Sequence, residues 1–467
     1  MSLLFNGSRR GFLHTARSGF GGLAFGALAA SLNGRVRADA PNNPLFPKVG
    51  HHPARAKRVL FLCMEGAPSQ VDTFDYKPKL QSDAGKPIGH GPLPSARLLP
   101  SPFAFKKRGQ SGQWISDLFP NLSRHADKLC VVRSMHTNLP NHPQAFVQLH
   151  TGLFQATRPS LGAWVLYGLG CENENLPGFV SISPPNNNGS TTNYGSSFLP
   201  AVCQGLRLGS QGQPVNAAQV TNIRNNRFSK SDQSRQLDLI RELNDKSRET
   251  DPASGLTDGL LGAMELGFRM QEDLPRALDV NLEDKTTKAS YGVDTAETDN
   301  FGRQCLMARR LLERGVRFVE VCQGGWDQHR NLREDHGRRA RSVDLPISGL
   351  LGDLAARGLL EDTLVVWAGE FGRTPYSQFG LDGDGRDHNH KGFTIWMAGG
   401  GAKPGTSYGA TDEHGREAVV DKVHIHDLHA TILHLLGLDH TRLTHRHAGR
   451  EMRLTDTKGL VIDGIVA

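Results

Sequence analysis

Short runs of β-branched and aromatic residues alternate along this chain with stretches of helical periodicity, and most of the runs end in a polar loop. Arg58 to Met64, Leu129 to Arg133, Val316 to Val321, Thr363 to Ala368 and Phe393 to Ala398 are of strand length. They are apolar without clean alternation, the pattern of strands covered on both faces. Between them lie amphipathic stretches. Gln144 to His150 follows Pro143, which suits a first helical turn, and Phe301 to Arg314 turns Phe301, Leu306, Leu311 and Leu312 inward. From about Ser342 to Arg357, Leu345, Leu350, Leu351 and Leu354 recur at helical spacing until Gly358 stops the run, and Val423 to Leu436 is a further helix. In this last helix, His424, His426, His429 and His434 read as solvated or capping. Strand, helix and strand in succession predict an α/β fold: a mostly parallel central sheet with helices on both faces and its polar strand tips on one carboxyl edge. Residues 216–290 are polar and helical in character and predict a helical insertion or cap. Ser181 to Gly195 predicts a loop rimming the edge.

The amino terminus changes the picture of where such a domain works. Ser8-Arg9-Arg10-Gly11-Phe12-Leu13 has the form of a twin-arginine export signal, followed by a weakly apolar run from Phe20 to Leu32 and a small-residue site, Ala38-Asp39-Ala40. The division expected is a signal peptide over 1–40, a linker over 41–56 and one α/β domain over 57–467. The apolar run is too short for a permanent anchor, so no integral membrane segment is expected in the mature chain, which is placed in the periplasm or cell envelope. Of the net charge of +7, four units sit in the first forty residues, so the domain carries no nucleic-acid footprint. Six cysteines show no paired metal-binding spacing and read as buried free thiols.

The chemistry gathers at the strand tips. Glu65-Gly66-Ala67-Pro68-Ser69 follows the first strand, Ser134-Met135-His136-Thr137 the second, Gly324-Gly325-Trp326-Asp327-Gln328-His329 the third and Gly369-Glu370-Phe371-Gly372-Arg373 the fourth, while Asp387-His388-Asn389-His390 precedes the fifth. Carboxylates and imidazoles brought to one edge suit metal or acid–base chemistry. In their order these motifs resemble the alkaline phosphatase and sulfatase superfamily, and most of all the exported DUF1501 family.

That resemblance implies an alkaline phosphatase-like fold and a tetrahedral anionic ester as substrate, held at one or two divalent metal ions. It makes Asp327, His329 and His390 the ligands of one ion, zinc or manganese with calcium a further option, and adds His388 from the same motif as a candidate. Glu65 and Glu370 become carboxylates of a second metal site. The chain departs from the superfamily at two places. Glu370-Phe371-Gly372 stands where Asp-His-Gly is usual, so His136 or His142 is left to supply the missing ligand. Asn141-His142-Pro143 stands where a nucleophilic hydroxyl or thiol is usual. Thr137, or else Ser134 or Ser69, is then the candidate nucleophile, with metal-activated water as the alternative. Arg373 and Arg386 are candidate anion clamps. Two functions are expected to compete: an exported metal-dependent hydrolase of phosphate or sulfate esters, and a catalytically degenerate relative that binds or assembles in the envelope.

Overall fold

The computed structural model describes residues 45–467 apart from 89–94, 219, 221–222, 225–226, 251–254, 378 and 380–382. The export signal predicted over 1–40 lies outside the described residues. A nine-stranded sheet forms the middle layer. Its strands are β1 (Arg58–Met64), β2 (Leu129–His136), β3 (Phe179–Ile182), β4 (Leu206–Leu208), β5 (Phe318–Gln323), β6 (Thr363–Ala368), β7 (Phe393–Ala398), β8 (Thr406–Tyr408) and β9 (Val423–His424). They lie in the order β8, β2, β7, β6, β1, β5, β3, β4, with β9 also paired to β2. All pairings are parallel except those of β7, which runs against both β6 and β2. This reversal matters for the site. A strand running backwards delivers the loop before it, rather than the one after it, to the carboxyl edge of its neighbours.

Every second residue of β1 faces a different core. Val59, Phe61 and Cys63 pack with residues of α1 (His142–Thr151), α2 (Leu161–Leu169) and α7 (Ile425–Leu435). Leu60, Leu62 and Met64 pack on the other side with α5 (Asp299–Glu313) and α6 (Gly337–Ala356). The result is the expected α/β arrangement with helices on both faces of a mostly parallel sheet. Burying large apolar side chains of this kind is worth about 1.5–3 kcal/mol each. Helices α3 (Lys230–Thr250) and α4 (Gly255–Leu278) occupy most of the stretch read as a helical insertion. The short strands β3 and β4 were not among the predicted elements, and β3 begins before the expected loop, which extends beyond it.

Helix α1 links core to edge. It starts at His142 with Pro143 in its first turn, and Gly152 ends it in the left-handed region at φ +78°. A side chain at Gly152 would meet the Leu454 carbonyl at 2.3 Å, so glycine is required there. His426 and His429 of α7 are not solvated as expected. Both are buried, with Nε2 of His426 2.7 Å from the Gly152 carbonyl and Nε2 of His429 2.7 Å from the Leu149 carbonyl, so they satisfy the otherwise unpaired end of α1. His424 does cap α7, through a box with Asp427.

The same end of α1 carries a buried ionic pair. His150 Nδ1 donates to the Phe146 carbonyl at 2.7 Å and its Nε2 meets Glu320 Oε1 at 2.5 Å, while Ser181 donates to Oε2 at 2.5 Å. Burial alone would lower the His150 pKa, but the charge of Glu320 and the hydrogen bond to it prevail and raise it. The imidazolium therefore stabilises the fold fully below its unfolded value of about 6.5, and this contribution is lost as pH rises through the raised folded value. His150→Ala is expected to cost about 3–5 kcal/mol at pH 6, because it strands the Glu320 carboxylate. The penalty should shrink in alkaline solution; urea unfolding at several pH values measures it, and a penalty independent of pH would contradict the pairing.

Candidate metal centre

Strand register brings the tips together. Met64 pairs with Gln323 and Cys63 with Ala368, so the chain leaves the sheet side by side at Glu65, Gly324 and Gly369. A side chain at Gly66, which sits at φ +102°, would lie 2.8 Å from the backbone nitrogens of Trp326 and Asp327; only glycine lets the first and third tips approach this closely. Trp326 is fully buried and packs edge-on against the His336 ring, which anchors the turn. Asp327, the next residue, is 44% exposed.

Three imidazoles converge on one oxygen of Asp327. Their Nε2 atoms lie 3.1 Å (His329), 3.3 Å (His142) and 3.5 Å (His388) from Asp327 Oδ1. The Nδ1 atom of each faces an oxygen outside the cluster: Glu370 Oε1 at 2.5 Å from His142, the Pro140 carbonyl at 2.9 Å from His388, and Asp387 Oδ1 at 3.8 Å from His329. A carbonyl can only accept, so the proton of neutral His388 is on Nδ1 and its Nε2 presents a lone pair inward. That Nε2 is 3.1 Å from the Nε2 of His329. A proton on His329 Nε2 makes this contact a hydrogen bond; a proton on its Nδ1, toward Asp387, leaves both Nε2 lone pairs and the carboxylate oxygen facing one point, where a divalent cation fits. The triangle of Asp327 Oδ1, His329 Nε2 and His388 Nε2, with sides of 3.1, 3.1 and 3.5 Å, is close to the edge of about 3.3–3.4 Å expected of a tetrahedron with bonds of about 2.0–2.1 Å. The donor set fits a divalent metal.

The surroundings hold these rings in place. Phe371 packs 4.7 Å from the His142 ring and 4.9 Å from the His388 ring, and His388 lies on a two-residue ribbon that pairs with Gly372 and Arg373. Burial works against the charged form of Asp327, yet the hydrogen bond from His142 and the Arg373 charge hold its pKa far below the usual carboxylate range. For His142, burial is outweighed by its bonds to Asp327 and Glu370, and its pKa is pushed up to about 9.

Of the residues expected from sequence, the edge brings together Asp327, His329, His388, His142, Glu370 and Arg373. His390 stands outside this cluster: its carbonyl accepts from the Thr137 amide, and its ring lies under the influence of Lys391 and His136. Glu65 also stands outside it, its two oxygens taken by the side-chain amides of Asn188 and Gln211. None of the candidate hydroxyls is turned to the cluster. Thr137 donates to Gln148 Oε1, Ser134 to the Asp421 carbonyl and Ser69 to Asp72. Arg386 is no anion clamp: fully buried, it pairs with Asp72 at 2.6 and 3.1 Å and donates to the Leu99 and Thr374 carbonyls. A cleft of about 480 Å³ among Val215, Leu278 and Met307 contains none of these residues. The converging imidazoles and carboxylates lie at the sheet edge, apart from this cleft.

The six cysteines are buried and unbridged, and among the described residues no helix is long and apolar enough to cross a membrane. The chain matches none of the curated protein sequences. Among solved structures it aligns with the PsFucS1 sulfatase from Pseudoalteromonas sp. at 14% identity and a TM-score of 0.33, over 82% of this chain and 68% of that one. It aligns with the lipoteichoic acid synthase LtaP from Listeria monocytogenes at 9% identity and 0.37, over 92% and 80%. With the alkaline phosphatase from the Antarctic bacterium TAB5 the values are 7% and 0.34, over 82% and 99%. The model of one family, described as a protein of unknown function, matches residues 56–466, and on that match the chain belongs to the DUF1501 family.

Proposed function

We propose that the mature chain is an exported, metal-dependent hydrolase of phosphate or sulfate esters. The observation that carries this reading is the convergence of three imidazole Nε2 atoms on Asp327 Oδ1, each ring turned by an oxygen facing its Nδ1. Asp327, His142, His329 and His388 would hold one divalent ion, zinc or manganese by the softness of three imidazoles. When bound, that ion supplies Lewis-acid charge for the oxygens of a tetrahedral anion. Glu370 keeps the His142 proton on Nδ1, as carboxylates behind ligand histidines do. The first turn of α1 adds a favourable site for negative charge beside His142. With the hydroxyls of Ser69, Ser134 and Thr137 engaged elsewhere, water is the attacking group, and the ester is cleaved in one displacement without a covalent enzyme intermediate.

The test uses folded, metal-loaded mature protein with aryl phosphates and aryl sulfates, in the presence and absence of an added alcohol acceptor. Release of the phenol with no transfer to the alcohol is expected. Transfer to the alcohol in a ratio independent of the leaving phenol would instead show that a protein side chain carries the group. The same engaged hydroxyls favour a second reading, a binding or assembly protein of the envelope that keeps the metal and has lost turnover. Metal-loaded, folded protein that cleaves neither ester would select it.

A further inference from the structure

The second cation implied by the resemblance has no place to bind, and a side chain stands in its stead. Glu65 gives both oxygens to amide donors, and Glu370 accepts from the Gly66 amide at 3.0 Å as well as facing His142. Against Asp327, and within the field of Glu370, lies the guanidinium of Arg373, 1% exposed. Its Nη2 donates to Asp327 Oδ1 and to the Gly66 carbonyl, both at 2.5 Å, and its Nε donates to the Ala67 carbonyl at 3.1 Å. Its Nη1 lies 3.4 Å from the Arg386 carbonyl. Its backbone is clamped as well: Gln70 accepts from the Arg373 amide at 2.8 Å and donates to its carbonyl at 2.7 Å. One carboxylate and two carbonyl oxygens turned on one point are the ligands a hard cation would take. Here they receive N–H donors from a planar, permanently charged group that cannot leave.

We propose that Arg373 is a built-in second cation, so that the chain takes up one divalent metal ion where a two-metal relative would take two. This rests on the assignment of Asp327, His142, His329 and His388 as the ligands of that ion. A fixed guanidinium needs no loading and cannot be removed by chelators. It supplies one positive charge instead of two and offers no open coordination position, so substrate oxygens are met by the single ion alone. Arg373 is thus a positioning residue, acting through Asp327 and the Gly66–Ala67 turn rather than on the ester itself.

Elemental analysis and calorimetric titration of the mature protein with zinc or manganese give the stoichiometry. One equivalent per chain is expected, unchanged in Glu65→Gln. Removing the charge beside Asp327 should tighten the remaining site, so Arg373→Met is expected to bind metal at least about tenfold more strongly, while Arg373→Lys stays near the parent. A merely structural role predicts the reverse, weaker binding in Arg373→Met, and that result would overturn the proposal. Two equivalents in the parent, falling to one in Glu65→Gln, would overturn it while leaving the hydrolase reading intact. No bound metal in the parent would overturn both. Should Arg373→Met not fold, the Glu65→Gln stoichiometry still decides.

Discussion

Asp327→Ala is expected to abolish stoichiometric metal binding and, with it, all ester hydrolysis. Asp327 Oδ1 is the hub of the cluster, within 3.1–3.5 Å of three imidazoles. Altering a residue behind a ligand typically costs about 10–100-fold in affinity, so deletion of the shared ligand should exceed about 100-fold. Asp327 is 44% exposed and its loss removes no core packing, so the variant should fold, although Arg373 would lose its ion pair with this carboxylate. Metal titration with circular dichroism as the folding control reads both halves of this expectation. Retained metal in a folded Asp327→Ala protein would mean that the histidines serve another purpose.

The largest expected effect on stability lies away from the metal. Asp72 and Arg386 are both fully buried and paired at 2.6 and 3.1 Å, a contact across 314 residues of sequence. Arg386 also donates to the Leu99 and Thr374 carbonyls at 3.0 and 3.2 Å, so one side chain ties the first tip, the segment around Leu99 and the ribbon bearing His388. Asp72→Ala leaves an uncompensated buried guanidinium and should cost about 3–5 kcal/mol. Burial opposes ionisation of Asp72, but Arg386 prevails and depresses its pKa. The pair therefore stabilises the fold above the ordinary carboxylate range and is lost as pH falls through that depressed value. Comparison of parent and Asp72→Ala by denaturant unfolding at neutral pH measures the cost; a difference below about 1 kcal/mol would mean that the pair barely repays its desolvation.

The polar tips were legible in the sequence because a doubly covered strand leaves its apolar run abruptly, and a glycine marks the point where the chain turns toward its neighbours. Asp327, His329 and Glu370 follow such breaks directly. His388 against His390 was harder, since both belong to a loop whose phase is set by a two-residue ribbon with Gly372 and Arg373, and a pairing that short leaves no periodicity to read. His142 was legible as one of two imidazoles left to supply a missing ligand, but its contact with Glu370 was not, since it joins residues 228 apart. The engagement of Arg386 by Asp72 was invisible for the same reason, as neither residue's neighbours reveal a partner so distant. The buried histidines of α7 were misread because a polar residue on a helix looks solvated until the opposing helix end that needs a donor is known. Strands β3 and β4, at four and three residues, were too short to stand out from the loops around them.

All six thiols are buried, and burial raises the pKa of Cys130 and Cys203 to about 12 and pushes that of Cys305 up as well. Thiols held protonated and out of reach of solvent are poor nucleophiles and poor substrates for oxidants. The native fold therefore depends on no disulfide, and its packing is the same in a reducing as in an oxidising solution.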